Sequence, residues 1–343
     1  MYNGSKKEMI LTIGITSYNR VDELIRCLRS VDCNEYIDNI EIIISEDNSP
    51  LRDKIEKAVI EFAEKSKYRI IFHKNEKNLG YDRNLKKLIE LANGKYILYV
   101  SDDDMFLPCK LSHVLKVLTE NDYGFYYSSN YNTEKGRYSK QYDSSYKIDS
   151  GAEYARAHIY DSILFSGLIF RVEYVRGLDA ERFLNKNYFQ VYMFLYSLYK
   201  YGGYYDKEPL INVIGDGANG YGQADSAVKS ELLANRKHVL SNLEFHKGLI
   251  DVIRMAGDDL GVDFISSFER EYSKRSVVGI VSAAKAGRKT LRQYWTKMKS
   301  LNIRLTNIAY VYYVFIMIVG GNIAEKLMQI AKKSNVVKGQ KYD

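Results

Sequence analysis

Three adjacent carboxylates, Asp102, Asp103 and Asp104, follow Ser101 directly after the apolar run Tyr96-Ile97-Leu98-Tyr99-Val100. Like charges this close repel one another, which costs stability unless a cation or a helix terminus compensates. Hard oxygen ligands suit Mg²⁺ or Mn²⁺, ions that commonly take one or two carboxylates together with substrate phosphates. The plainer alternative is an acidic turn capping the helix that opens near Pro108, and the position after a buried strand speaks against it. A second polar group, Thr16-Ser17-Tyr18-Asn19-Arg20, closes the first apolar run, and Asp47-Asn48-Ser49 closes the second. Asn and Asp are favoured in turns and caps in any case, so Asn19 and Asp47 each admit that reading too.

The elements that must position these residues are legible as alternating periods. Met9–Ile15, Ile40–Ser45, Tyr68–Phe72, Tyr96–Val100 and Tyr123–Ser128 read as short buried strands. Between them, Val21–Val31, Ile55–Ala63 and Arg83–Ala92 carry apolar residues at helical spacing, and Pro108 opens a fourth helix containing Leu111, Val114, Leu115 and Leu118. Alternation at this spacing predicts βαβ units and a mostly parallel sheet flanked by helices, an α/β fold. Ligands of such sheets bind beyond the carboxyl ends of the strands, where Asp47 and Asp102–Asp104 are expected to converge. Residues 131–150 read as a loop or short hairpins, Ile163–Arg171 as a further apolar run, and Tyr188–Tyr199 as a helix ended by Gly202-Gly203.

In their order, Ile15-Thr16-Ser17-Tyr18-Asn19-Arg20, Ser45-Glu46-Asp47-Asn48-Ser49, Asn78-Leu79-Gly80 with Asn84, and Asp102-Asp103-Asp104 resemble the family 2 glycosyltransferases of the GT-A fold. The resemblance covers residues 9–130 well and 160–225 loosely. It implies that Thr16, Tyr18 and Asn19 line a nucleotide pocket and that Asp47 accepts a hydrogen bond from the base. It also implies Asn84 near ribose or phosphate, and Asp102–Asp104 holding ribose and metal, Mn²⁺ or Mg²⁺. The implied reaction moves a hexosyl or deoxyhexosyl group from a nucleotide-diphosphate donor to a hydroxyl of a lipid-linked or polysaccharide acceptor. Bacterial O-antigen or capsule synthesis is its setting, with some members resembling abequosyltransferases. A bound cation stabilises the charge that grows on the leaving diphosphate.

A general base must take the acceptor's proton. Family 2 enzymes usually supply it from a Glu-Asp pair at the start of a helix, after a strand that Phe165-Ser166-Gly167-Leu168-Ile169-Phe170-Arg171 matches. Here the pair's place falls near Asn187-Tyr188-Phe189-Gln190, which holds no carboxylate. Gln190 can position an acceptor but cannot take its proton; Asp161, Asp179 and Asp216 are alternative carboxylates, each also readable as structural. The glycine-rich run Gly215–Gly222 is a candidate lid, with Asn219 and Tyr221 toward the donor, or a plain surface turn.

Beyond residue 225 the pattern changes to long helices, so the expected domains are 1–225 (a nucleotide-sugar half, 1–130, and an acceptor half, 131–225) and a helical region, 226–343. Residues 269–304 carry ten basic side chains against Glu269 and Glu271, and Leu305–Ala324 then contains no charge. That stretch is readable as lying on an anionic membrane surface, as a core or dimer helix, or as a span, for which about 20 residues are needed. The tail after Ala331 reads as polar and frayed. Three cysteines without a C-x-x-C pair, and no secretory signal in the sequence, lead to the expectation of a cytoplasmic protein, peripheral at the inner face of the plasma membrane.

The formal charge of +7 is compatible with anionic partners. No dinucleotide, P-loop or H-E-x-x-H motif occurs, which disfavours dehydrogenases, P-loop NTPases and zinc proteases. No nucleic-acid partner is expected. Two rival functions stay open: a nucleotidyltransferase, which would need a glycine-rich basic loop after the first strand that Thr16–Arg20 lacks, and a catalytically silent glycan- or partner-binding module.

Overall fold

Strands that are apolar along their whole length can sit only where both sheet faces are covered. In the computed structural model, which describes residues 8–133, 136–138, 142–179, 181–214, 239–240 and 242–337, the first such runs do so. The chain opens with β1 (Leu11–Ser17), α1 (Val21–Arg29), β2 (Ile40–Glu46), α2 (Arg52–Ala63), β3 (Arg69–Lys74), α3 (Tyr81–Leu91) and β4 (Tyr96–Ser101). Every residue of β2 is buried, and α1 lays Leu24, Cys27 and Leu28 into the same core. Asp22 and Glu23 in the first turn of α1, with Arg26 and Arg29 in its last, match the helix dipole.

β5 (Met105–Phe106), α4 (Leu111–Glu120), β6 (Phe125–Ser128), β7 (Tyr131–Asn132), β8 (Arg137–Tyr138) and β9 (Tyr146–Ile148) follow. Then come α5 (Ala152–Ala157), β10 (Ile169–Arg171), α6 (Val172–Val175), α7 (Phe189–Tyr201), β11 (Gly203–Asp206) and β12 (Ile211–Asn212). The main sheet runs β3-β2-β1-β4-β10-β6-β11-β9, with its first four strands parallel and β10 antiparallel to both neighbours. The register pairs Ser17 with Glu46 and Thr16 with Ser101, so the segments after β1, β2 and β4 leave from one edge. A small second sheet, β5-β12-β7-β8, sits directly after the aspartates in sequence.

Several boundaries differ from expectation. β1 continues through Thr16 and Ser17, because two partners extend its ladder past the apolar run. α4 starts at Leu111 rather than at Pro108, since Cys109 takes a left-handed φ of 59° that no helix accommodates. Of Ile163–Arg171 only the last three residues pair as a strand. α7 does end at Gly202, whose φ is +69°, and a Cβ there would meet the Ile148 carbonyl oxygen at 2.4 Å.

By internal contacts the chain divides into two compact units, Met1–Asn185 with Phe189–Ala224, and Lys186–Tyr188 with Asp225–Asp343. The described part of the second unit is helical: α8 (Asn242–Leu260), α9 (Ile265–Arg275), α10 (Val277–Lys285), α11 (Arg288–Lys299), α12 (Asn307–Val319) and α13 (Gly321–Val337). Leu249, Ile253, Phe268, Ile280 and Met298 form part of its interior. Among the described residues no helix is long and apolar enough to cross a membrane. The span reading of residues 305–324 is thereby corrected: α12 has 13 residues and stops at Gly320, whose φ is +81°. α13 continues to Val337, past Ala331 where fraying is expected, and residues 338–343 of that tail lie outside the described residues.

Candidate functional site

The edge where β1, β2 and β4 end is a dense polar assembly. Asp102, Asp103 and Asp104 are all buried there. The Arg20 guanidinium, itself buried, donates from Nη1 to Asp102 Oδ1 at 2.6 Å and lies 3.2 Å from Asp103 Oδ2. The Tyr18 backbone N–H reaches the other Asp102 oxygen at 3.3 Å. Asp103 also accepts from Ser101 Oγ at 2.5 Å, while Arg26 Nη2 donates to the Asp103 carbonyl at 3.0 Å. So the segment after β1 is fastened to the segment after β4 through an ion pair, and Asp102 is its centre.

Asp104 is held differently. Ser166 Oγ donates to its Oδ2 at 2.6 Å and the Ile214 backbone N–H to its Oδ1 at 3.1 Å. Antiparallel pairing of β12 with β5, Ile211 opposite Phe106 and Asn212 opposite Met105, delivers Ile214 to that place. No ion pair reaches Asp104 among the described residues, and burial pushes its pKa up to about 6, against the Ser166 hydrogen bond. Burial likewise pushes the Asp102 carboxyl up, and the Arg20 guanidinium opposes it.

The chemistry of this donor set suits a divalent ion. The oxygens are hard, and Asp104 is a buried carboxylate that no ion pair reaches among the described residues, with the Arg20 guanidinium acting on it only from a distance. Among the described residues no group of three or more His, Cys, Asp and Glu side chains is arranged to hold a metal. The protein would therefore supply one or two carboxylates, Asp103 and Asp104, and leave the rest of the shell to phosphates and water. Asp102, expected with ribose and metal, is bonded here to Arg20 and to the Tyr18 N–H.

At the end of β2, Asp47 Oδ1 accepts from the Leu79 N–H at 2.7 Å and from Asn75 Nδ2 at 3.0 Å, and Oδ2 from the Gly80 N–H at 2.9 Å. Burial raises its pKa and these bonds lower it, burial prevailing. Asp47 thus shapes the Asn78-Leu79-Gly80 turn, and only a remaining lone pair is open to a base. Asn84 is spent on the chain: Nδ2 donates to the Ser45 carbonyl at 3.1 Å and Oδ1 accepts from Asn75 at 3.1 Å. Asn19, at φ 59°, accepts from the Leu51 N–H at 3.2 Å, and Thr16 and Tyr18 stand half-buried at the end of β1. Ser17 Oγ and Ser49 Oγ are buried at this edge without a partner among the described residues. Hydroxyls at that depth call for a water or a ligand.

Asp161, a candidate base, and Gln190, a candidate acceptor-positioning residue, lie in other surroundings. Asp161 Oδ2 accepts from Tyr127 at 2.7 Å and Tyr142 at 2.9 Å and sits 2.8 Å from His158 Nδ1. Asp161 is thus the hub of a cluster with Tyr127, Tyr142 and His158. Gln190 is buried in the first turn of α7, with Nε2 donating to the Ile163 carbonyl at 3.2 Å and Oε1 without a partner among the described residues. Asp179 is exposed, and Asp216, Asn219 and Tyr221 fall outside the described residues. Sequence reasoning missed Arg20, Ser166 and Asn75 as site-building residues. Arg20 was the one findable from charge alone, as a lone cation ending a motif that must face three carboxylates.

Residues 12–179 match the model of the family described as Glycosyl transferase family 2. A glycosyltransferase of Methanocaldococcus jannaschii is 31% identical over 118 residues, 34% of this chain and 40% of that protein. A relative from Rickettsia bellii is matched over 19% of its length, so the chain spans less than half of these relatives. The abequosyltransferase of Salmonella typhimurium is 34% identical over 97 residues, 28% of each chain. A GalNAc(5)-diNAcBac-PP-undecaprenol beta-1,3-glucosyltransferase of Campylobacter jejuni is 23% identical over 93% of this chain and 97% of its own. Among solved structures, S. aureus TarS 1-349 in complex with UDP is similar with a TM-score of 0.52 and 14% identity, covering 89% of this chain and 91% of that one. That likeness is one of fold, the GT-A arrangement.

Proposed function

We propose, from the premise that residues 12–179 are a family 2 glycosyltransferase domain, that the chain transfers a hexosyl or deoxyhexosyl group from a nucleoside-diphosphate donor. The acceptor in this reading is a hydroxyl of a lipid-linked or polysaccharide glycan of the bacterial surface, met at the inner face of the membrane. What supports it is one observation: three strand ends deliver a buried Arg20–Asp102 clamp next to Asp104, a buried carboxylate that no ion pair reaches among the described residues.

Thr16, Tyr18 and Asn19 hold the nucleoside, and Asp47 fixes the turn beside it. Asp103 and Asp104 would hold Mn²⁺ or Mg²⁺, whose chemistry is to stabilise the charge growing on the leaving diphosphate. Arg20 pairs with Asp102 and keeps the two strand-end segments in register, so the donor site is formed before substrate arrives. Ser166 and the Ile214 N–H aim Asp104. Asp161 and Gln190 supply no base in this arrangement.

The test is titration calorimetry with UDP, GDP, CDP and dTDP sugars, with and without Mn²⁺. Wild type binds one of them more tightly with the ion. Asp104→Asn loses about tenfold or more of that increment, and Asp103→Ala or Asp104→Asn lowers turnover by about 10² or more. Full transfer by both variants would remove the metal role. One observation favours a second reading, a silent glycan-binding module: Gln190 stands where the resemblance calls for a carboxylate. Donor binding without transfer to any of a panel of glycan acceptors would select it.

A further inference from the structure

The second unit carries an apolar face that its own core does not use. α12 contains no charged residue and buries only Ala309 and Ile316. Val311, Val314 and Ile318 fall at spacings of three and four along it, all exposed, Ile318 by 75%. On α13, Ile323, Leu327 and Ile330 repeat that spacing, with Ile330 exposed by 63%. Of the twelve large hydrophobic side chains exposed in the described chain, only Ile60, Leu164 and Tyr201 lie outside this unit. Exposed apolar side chains concentrated at helical spacing on two successive helices mark a binding face rather than scatter.

Charge says what covers it. Residues 264–343 hold fifteen lysines and arginines against four acidic residues, +11, whereas the whole chain is +7. α11 packs on α12 through Trp295, which stacks on Tyr313 at 4.3 Å and meets Tyr310 edge-on at 5.1 Å. That same α11 exposes Arg288, Lys289 and Arg292, none of them in an ion pair among the described residues. A second copy docking symmetrically would press two such basic surfaces together. An anionic bilayer instead accepts apolar side chains below its headgroups, aromatic rings at them and guanidinium groups above. α12, at about 1.5 Å per residue, is too short to cross a hydrocarbon core of about 30 Å.

We infer that α12 and α13 are an in-plane membrane anchor for anionic phospholipid, with Val311, Val314, Ile318, Ile323, Leu327 and Ile330 inserted and α11 supplying the basic flank. The inference rests on the proposed lipid-linked acceptor for its purpose and on α11–α13 alone for its geometry.

Cosedimentation of the full chain with vesicles of phosphatidylcholine, with and without added phosphatidylglycerol, tests it. The protein pellets with the anionic vesicles and stays in solution with the neutral ones. Val314→Ser/Ile318→Glu weakens that binding about tenfold or more, and Arg288→Gln/Arg292→Gln makes the remainder less sensitive to salt. Circular dichroism of the variants stays that of wild type, as expected for exposed positions. Failure of wild type to pellet with anionic vesicles, or equal binding by Val314→Ser/Ile318→Glu, overturns the anchor. So does a wild-type dimer in sedimentation velocity that this variant dissociates, which assigns the face to a second copy. Nucleotide calorimetry on the same samples keeps the two readings apart, since loss of donor binding sinks the transferase and leaves the vesicle result standing.

Discussion

Arg20 is the residue on which the site's electrostatics turn. Its guanidinium is the cation beside both Asp102 and Asp103, and Asp102 has almost no access to water. Removing one partner of a buried pair strands the other charge, which costs about 3–5 kcal/mol. Arg20→Met should therefore lower the melting temperature of the first unit markedly, and Arg20→Met/Asp102→Asn should recover most of the loss. Equal melting of single and double variants would show that Asp102 is already neutral without its partner. Asp104 sits in the opposite condition, buried with hydroxyl and amide donors only. Asn at that position keeps the shape and drops the charge, so Asp104→Asn should fold normally while losing ion-dependent donor binding.

At the scale of elements, close approach rather than side-chain chemistry sets two of the constraints. Gly202 links α7 to β11 in a left-handed conformation, against the Ile148 carbonyl. Ala there meets both strain and a backbone clash, so Gly202→Ala should cost about 2–4 kcal/mol in denaturant unfolding. In the helical unit, His246 of α8 bonds through Nδ1 to the Tyr272 hydroxyl of α9 at 2.8 Å. Burial lowers its pKa to about 4. The folded form then binds its proton less readily than the unfolded chain, whose histidine titrates near 6.5. The neutral-histidine stability is thus complete above pH 6.5 and declines as pH falls toward 4, by up to about 3 kcal/mol. Unfolding curves at pH 7 and pH 4.5 should show that loss, and His246→Gln should flatten it.

Over the whole molecule, charge is divided by position. Residues 1–263 sum to −4 and residues 264–343 to +11. Long-range attraction to anionic surfaces therefore comes from the helical end of the chain, and it should weaken steeply with salt, as exposed charges are screened beyond about 8 Å at physiological ionic strength. Vesicle binding measured from low to high salt should fall toward the part carried by apolar insertion. Binding that ignores salt altogether would show that the basic flank contributes nothing.

Apart from the two-residue β5, the order of strands and helices through residue 128 was legible in the sequence, as were the edge at which Asp47 and Asp102–Asp104 gather and the family resemblance, because burial periods and strand-end placement are local properties. Which aspartate does what was not. That Asp102 belongs to Arg20, that Asp47 and Asn84 brace the chain, and that Ser166 and Ile214 aim Asp104 depend on contacts between residues 32 to 110 positions apart. A side chain's type names the bonds it can make; only the fold determines which partner reaches it first, and the same rule turned an uncharged stretch of 20 residues into a short helix broken at Gly320.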